Sequence, residues 1–202
     1  MRERILNTLL KICPIGDLSS VCGNEKRLSC VFIFYRRYDL METILYNLSS
    51  QTLDREDVEI ILVEDRGGSD RGRALPGQFT ALDIQYHAPE RGWGRMGFMR
   101  NFGLSRARGE IVLFLDDDTV LPDSRFLEKL LHHFRSDPDL DAVMPRGHAS
   151  FCLLKGRYDY HDPYFFTNRC MAYRKKVLAA LGGFDSSFAG QEDVELAIRF
   201  LA

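Results

Sequence analysis

Apolar residues in this chain gather into short unbroken blocks separated by stretches of helical spacing. Residues 28–35, 58–63 and 111–115 are apolar, β-branched and aromatic runs, of the length and character expected of strands buried on both faces. Weaker runs at 82–87 and 142–145 predict two more strands. Between them, Leu40, Ile44, Leu45 and Leu48 recur at helical spacing behind an Asp39…Glu42 capping pattern. Phe98, Asn101, Leu104 and Ala107 mark a second helix, and Phe126, Leu127, Leu130, Leu131 and Phe134 a third. Residues 71–81 read as loop, 174–181 as helix, and Gln191-Glu192-Asp193 as the opening of a last helix. The alternation predicts an α/β protein with a mixed, mostly parallel sheet flanked by helices. Residues 148–167 break the pattern; Tyr158, Tyr160, His161, Tyr164, Phe165 and Phe166 either pack a small subdomain or line a groove.

The expected strand ends carry acid. The run 111–115 stops at Asp116-Asp117-Asp118, and the run 58–63 stops at Glu64-Asp65. Ligands of open α/β sheets bind just beyond the carboxyl ends of the strands. Adjacent like charges there repel unless a cation or water relieves them. Carboxylate oxygens suit hard divalent ions, and Mg²⁺ is usually held by one or two carboxylates together with substrate phosphates. A metal–diphosphate site is one reading. The other is a solvated turn whose Asp or Thr caps the helix after Pro122.

Composition narrows the partner. The 202 residues carry a net charge of −2, so no global basic field recruits nucleic acid. Arg91, Arg95, Arg100, Arg106 and Arg108 form a local basic cluster suited to an anionic small molecule. Five cysteines without Cys-x-x-Cys spacing point to a reducing, cytoplasmic compartment and to small buried hydrophobes rather than disulfides or zinc. No apolar run reaches the roughly eighteen residues that span a bilayer. Residues 1–27 read as a lead-in, and residues 28–202 as one domain whose last helix ends uncapped at Ala202, an expectation that the natural chain continues. The amphipathic helix expected over 1–12 packs on the domain or, alternatively, anchors it peripherally to the inner face of a membrane.

Two motifs compete with the acidic strand ends. Gly92-Trp93-Gly94-Arg95-Met96-Gly97 fits the dinucleotide fingerprint G-x-G-x-x-G. However, Ala88-Pro89-Glu90-Arg91 separate it from the expected strand, whereas that fingerprint follows its strand directly. Asp116-x-Asp118-Thr119 superficially resembles a haloacid-dehalogenase nucleophile motif, but the Thr comes one residue early and the strand is mid-chain.

Taken together, the acidic strand ends resemble the family 2 glycosyltransferases of the GT-A fold. Val63-Glu64-Asp65-Arg66-Gly67-Gly68-Ser69-Asp70 is similar to the family's V-D-D-G-S-x-D segment, and Arg100-Asn101-Phe102-Gly103 with Ala107-Arg108-Gly109-Glu110 to its A-R-N-x-G…A-x-G-E stretch. Asp116-Asp117-Asp118 stands at the D-x-D position. Asn168, Arg174 and Gly182-Gly183-Phe184-Asp185 match N-x-x-x-x-R…G-G-F-D-E, and Gln191-Glu192-Asp193-Val194-Glu195-Leu196 with Arg199 matches G-E-D-x-D-L-x-x-R. The first strand departs from the usual I-P-T-Y-N ending, keeping only Tyr35; Glu64 replaces the first Asp of V-D-D, and Gln191 a usual glycine.

The resemblance implies inverting, metal-dependent transfer of a sugar from a nucleoside-diphosphate donor, UDP-type favoured, to a hydroxyl of a glycan or other acceptor. It implies a divalent Mg²⁺ or Mn²⁺ on Asp118 with Asp116 nearby, Asp116 alternatively meeting the ribose. Asp65 is expected to accept from the base edge, Arg100 to hold the nucleotide, and Tyr35 and Asp117 to complete the donor site, Asp117 alternatively facing solvent. Asp193 is the expected base on the acceptor side and Glu192 its partner, with the two roles exchangeable. Arg95 contacts the diphosphate or is a solvated loop charge; Trp93 stacks on an acceptor sugar or anchors its loop. A GT-A-fold binding or scaffold protein without turnover and a sugar-phosphate nucleotidyltransferase remain alternatives. The latter expects a glycine-rich phosphate loop where Tyr35-Arg36-Arg37-Tyr38 stands.

Overall fold

The structure, a computed structural model, describes residues 18, 21–150, 157–160 and 167–201. The expected N-terminal helix over 1–12 therefore lies outside the described residues, as do Cys13, Cys152, His161, Tyr164, Phe165 and Phe166. Among the described residues, no helix is long and apolar enough to cross a membrane.

Strand β1 (Lys26–Phe34) lies at the centre of a six-stranded sheet, with β2 (Val58–Glu64) on one side and β4 (Gly109–Asp116) on the other, both parallel to it. Strand β3 (Ile84–His87) extends the sheet beyond β2 in parallel. Beyond β4, β8 (Cys170–Arg174) runs antiparallel to β4, and β5 (Ala142–Val143) pairs antiparallel with β8, giving the order β3-β2-β1-β4-β8-β5. A separate two-stranded sheet pairs β6 (Gly147–Ser150) with β7 (Arg157–Tyr160), so the aromatic region contributes a hairpin's backbone.

Every residue from Leu28 to Phe34 is buried because helices cover both faces of the sheet. Leu28, Cys30, Phe32 and Phe34 point toward α1 (Tyr38–Ser49) and α4 (Phe126–Ser136). Val31 and Ile33 point toward α3 (Met96–Leu104), α5 (Lys175–Ala180) and α6 (Glu192–Leu201). This period-two division is what a continuous apolar strand between two helical layers requires. The strand order reverses at β1, whose crossovers run to β2 on one side and later elements to β4 on the other. Such a switch point opens a crevice at the strands' carboxyl ends.

Several expectations need correction. Residues 70–78 form a helix, α2 (Asp70–Gln78), where the sequence reads as loop. Gly72, Pro76 and Gly77 disguise it, while the Ser69 hydroxyl accepts from the Gly72 N–H at 2.9 Å and Leu75 is fully buried. The first helix begins at Tyr38 without a side-chain cap, so Asp39 and Glu42 form no capping box; both turn to Arg71 of α2 instead. Leu40 is exposed, and Met41 takes its expected place in the core. Residues 170–174 are strand, and the helix expected from 174 begins at Lys175. No Asp or Thr side chain caps α4. Of the described cysteines, Cys30 is a buried hydrophobe as expected, Cys170 is half-buried, and Cys22 is exposed.

Candidate functional site

The carboxyl ends of β1, β2 and β4 open onto a cleft of about 440 Å³. Tyr35 and Arg37 line it from beyond β1, Asp65 from beyond β2, Met96 from the start of α3, and Asp116, Asp117 and Asp118 from the end of β4. Sequence reasoning names five of its polar wall residues; it missed Arg37.

Asp65 serves as a junction. Its side chain accepts from its neighbour Arg66 N–H at 2.8 Å and from Gly94 N–H at 3.1 Å to each oxygen. Gly94 adopts φ of 69° to present that N–H, a conformation that favours glycine. The glycine-rich stretch is thus a loop docked on Asp65 that runs into the first turn of α3, and with β3 ending at His87 it does not follow a strand directly, which the dinucleotide fingerprint requires. Trp93 donates its indole N–H to Pro89 O at 2.9 Å and is 54% exposed. Arg95 is exposed at the N-cap of α3. Two guanidiniums lie over the Tyr35 ring, Arg36 at 5.0 Å and Arg66 at 4.9 Å from its centroid. Both arginines take left-handed backbone, φ 58° and 63°, an arrangement seen preferentially at functional sites.

The three aspartates have different surroundings. Asp116 is anchored by its N–H to Arg169 O at 3.0 Å. Burial pushes its carboxyl above the ordinary value, the Asp118 charge adds to this, and Arg100 at 3.5 Å opposes it. Asp117 does not face solvent: its side chain is 16% exposed and bonded to Arg37 at 2.7 Å. Burial raises its carboxyl too, against the pull of Arg37. Asp118 is the open one, 55% exposed.

Arg100 is placed differently from its expected role. Its guanidinium is buried, donating to Glu192 at 2.8 Å and reaching Asp116 at 3.5 Å. Phe114 and Phe184 flank it, at 5.6 and 5.9 Å. Arg100 therefore ties the cleft's Asp116 to the first turn of α6 instead of standing free for a nucleotide. One residue later, Asn101 clamps the turn that precedes α6, its amide bonded to both Phe184 N–H and Phe184 O at 2.8 and 2.7 Å. Glu192 is 3% exposed; Asp193 is half-buried and accepts from Val194 N–H at 2.9 Å. A signal for this tie exists in the sequence, since an Arg-Asn pair facing a buried helix start must find partners, but its target is 92 residues away.

Among the described residues, no three His, Cys, Asp or Glu side chains gather as a metal cage. Asp116 and Asp118 offer a smaller donor set of hard oxygens, and the repulsion between them that helps raise the Asp116 carboxyl is what a cation would relieve. That set fits an ion that takes its remaining oxygens from a diphosphate and water.

The profile of glycosyl transferase family 2 matches residues 29–184, more than half of the chain. The chain belongs to that family. The family 2 chain is similar to the O-antigen chain rhamnosyltransferase RfbN of Salmonella typhimurium (strain LT2), 22% identical over 197 residues, covering 87% of the chain and 61% of RfbN. In structure it resembles the mannosyltransferase PcManGT of Pyrobaculum calidifontis, solved with GDP-Man and Mn²⁺, with a TM-score of 0.66 and 19% identity over 94% of this chain and 59% of that one. It also resembles S. aureus TarS 1–349 in complex with UDP, with a TM-score of 0.69 and 20% identity over 87% of this chain and 55% of that one. These likenesses establish the GT-A fold expected from the sequence. The chain spans between 16% and 61% of the lengths of the curated relatives it matches.

Proposed function

We propose that this family 2 chain carries the donor site of a metal-dependent, inverting glycosyltransferase that moves a sugar from a nucleoside diphosphate to a glycan hydroxyl. One observation carries the reading: Asp65, Asp116 and Asp118 converge on a cleft at the sheet's switch point, and Arg100 links that cleft to Glu192. The names of the relatives support it, RfbN acting on O-antigen and the two structural neighbours holding GDP-Man with Mn²⁺ and UDP.

Asp118, the exposed carboxylate, and Asp116 would hold the Mg²⁺ or Mn²⁺. When bound, the cation supplies charge stabilisation to the departing diphosphate. Tyr35 would stack on the base and Asp65 accept from its edge. A pocket of about 120 Å³ adjoins Asp118, lined by Thr119, Met144, Pro145, Thr167 and Arg169, and offers room for the sugar beyond the diphosphate. Of the two acids that open α6, Glu192 and Asp193, the latter is the better base. Glu192 is engaged by Arg100, whereas Asp193 accepts from the adjacent main-chain N–H and keeps oxygen capacity for an acceptor hydroxyl. Arg100 and Glu192 then act as positioning residues.

The test is calorimetric titration of UDP, GDP and dTDP with Mn²⁺, with Mg²⁺ and with chelator, on wild type and two variants. Metal-dependent binding of one nucleotide, lost in Asp118→Ala and retained in Asp193→Asn while Asp193→Asn abolishes sugar transfer, supports the reading. Nucleotide binding without transfer in wild type would favour a binding protein on this fold, and equal loss of binding and transfer in Asp193→Asn would remove it as base.

A further inference from the structure

Arg37 sits at the turn between β1 and α1 and sends its guanidinium across the cleft, 2.7 Å from Asp117 Oδ1 and 3.5 Å from Asp118 Oδ2. Its side chain is 50% exposed, so the carboxylates hold it there and packing does not. The preceding Arg36 takes the left-handed conformation and lays its own guanidinium on Tyr35. Consecutive arginines thus serve two walls of one cleft. On the far side, Arg100 is buried and fixed by Glu192. Arg169 is a third cation acting on Asp116, but the cation bonded to both Asp117 and Asp118 is the half-exposed Arg37, which is free to move where Arg100 is not.

We infer that Arg37 is the resident counter-ion of Asp117 and Asp118, displaced from Asp118 when a divalent cation enters and received by the donor's diphosphate. This rests on the metal-dependent reading above. A guanidinium and a divalent cation on the same carboxylate repel at close range. A diphosphate removes the conflict, because its oxygens match the planar fork of an arginine bidentately. A cation entering alone must displace Arg37 with nothing to receive it, so cation and nucleotide bind cooperatively, each strengthening the other by the same factor.

The test is Mn²⁺ binding to the whole chain, read from the electron paramagnetic resonance of free Mn²⁺, without nucleotide and with UDP or GDP. In wild type, nucleotide tightens Mn²⁺ binding. In Arg37→Gln, Mn²⁺ alone should bind about tenfold tighter while nucleotide at saturating Mn²⁺ binds about tenfold weaker, so the coupling shrinks about tenfold and Mn²⁺ affinity at saturating nucleotide stays as in wild type. Adding Asp118→Ala should abolish the gain in Mn²⁺ affinity, and Arg37→Lys, which keeps the charge, should not show it. If Arg37→Gln leaves Mn²⁺ affinity unchanged or lower while wild type still binds Mn²⁺ with nucleotide, the counter-ion role is overturned and the donor site stands. If wild type takes up no Mn²⁺ under any of these conditions, both are overturned.

Discussion

Replacing Arg100 with methionine removes the guanidinium that joins Glu192 to Asp116 and keeps most of the apolar stem between Phe114 and Phe184. The Arg100 and Glu192 side chains are 7% and 4% exposed, so solvent screens the pair little. Breaking a buried pair strands its partner's charge, which costs about 3–5 kcal/mol, a large share of the roughly 5–15 kcal/mol that stabilises a domain. For a domain of this size the loss lowers Tm by about 6–20 °C. Replacing Arg100 and Glu192 together with methionine leaves no stranded charge at that contact, so the double variant should be more stable than Arg100→Met alone by about 2 kcal/mol or more. Urea unfolding of wild type, both single variants and the double variant, followed by far-UV circular dichroism, measures this cycle. The loss has a functional consequence as well. Without the guanidinium at 3.5 Å, only Arg169 is left to oppose the burial that raises the Asp116 carboxyl, so as pH falls metal-dependent nucleotide binding should fail at a higher pH than in wild type. An Arg100→Met cost below about 1 kcal/mol, or additivity of the two single changes, would refute the tie as a buried, energetically coupled pair.

Two further perturbations follow from the same geometry. Asp116 has its carboxyl raised in the folded protein, chiefly by burial, so its contribution to stability is fully present below the unfolded carboxylate range and is lost as pH rises through the folded value. Asp116→Asn, permanently neutral, should therefore melt above wild type at pH 7, with the gap narrowing as pH falls; a widening gap contradicts the burial argument. Thiol labelling gives the second. In a Cys13→Ser, Cys152→Ser background, Cys22 is exposed while burial raises Cys170 to about 12 and Cys30 further still, so Ellman's reagent should titrate one thiol quickly in the folded protein and three in urea.

The parts of the fold legible in sequence are those where one physical requirement dominates. A strand covered on both faces must be apolar throughout, so β1, β2 and β4 stand out, and the acids that terminate them mark the cleft. Elements that depend on a partner were hidden. Helix α2 contains Pro76 and two glycines and survives through Leu75, Ser69 and the buried Glu64, which accepts from the Tyr38, Ser69 and Tyr86 hydroxyls. Strand β8 is short and borders β4 antiparallel, and five mixed residues ahead of a helix give no periodicity to distinguish it. The site divides in the same way. Residue types at strand ends announce Asp65 and Asp116–Asp118, but the tie of Arg100 to Glu192 and the reach of Arg37 are matters of tertiary distance. Gln191 shows a third case: it adopts φ of 64° where the family pattern has glycine, so the backbone turn survives the substitution and only the residue type departs.

The glycine-rich stretch is explained by contact instead of cofactor, and Gly97 tests this. It lies in the first turn of α3, one turn before Arg100, and a Cβ there would sit 1.9 Å from the carbonyl oxygen of Asp185 and 2.8 Å from its carbon. Both atoms belong to backbone, which cannot rotate away as a side chain would. Overpacking of this kind costs about 1–3 kcal/mol and outweighs the gain of up to about 1 kcal/mol that alanine brings to a helix. Gly97→Ala should therefore destabilise the chain. Because relief requires α3 to move away from the 182–188 turn that Asn101 clamps, it should also loosen Arg100 from Glu192 and impair transfer more than nucleotide binding. Gly77 is the control. It lies in α2 with nothing within 4 Å of its added Cβ, so Gly77→Ala should be neutral or stabilising by up to about 1 kcal/mol. Parallel thermal melts of the two variants decide the matter: if Gly97→Ala raises Tm as Gly77→Ala does, α3 is not pressed against that turn, and the link from the cleft through Arg100 to α6 loses its rigid support.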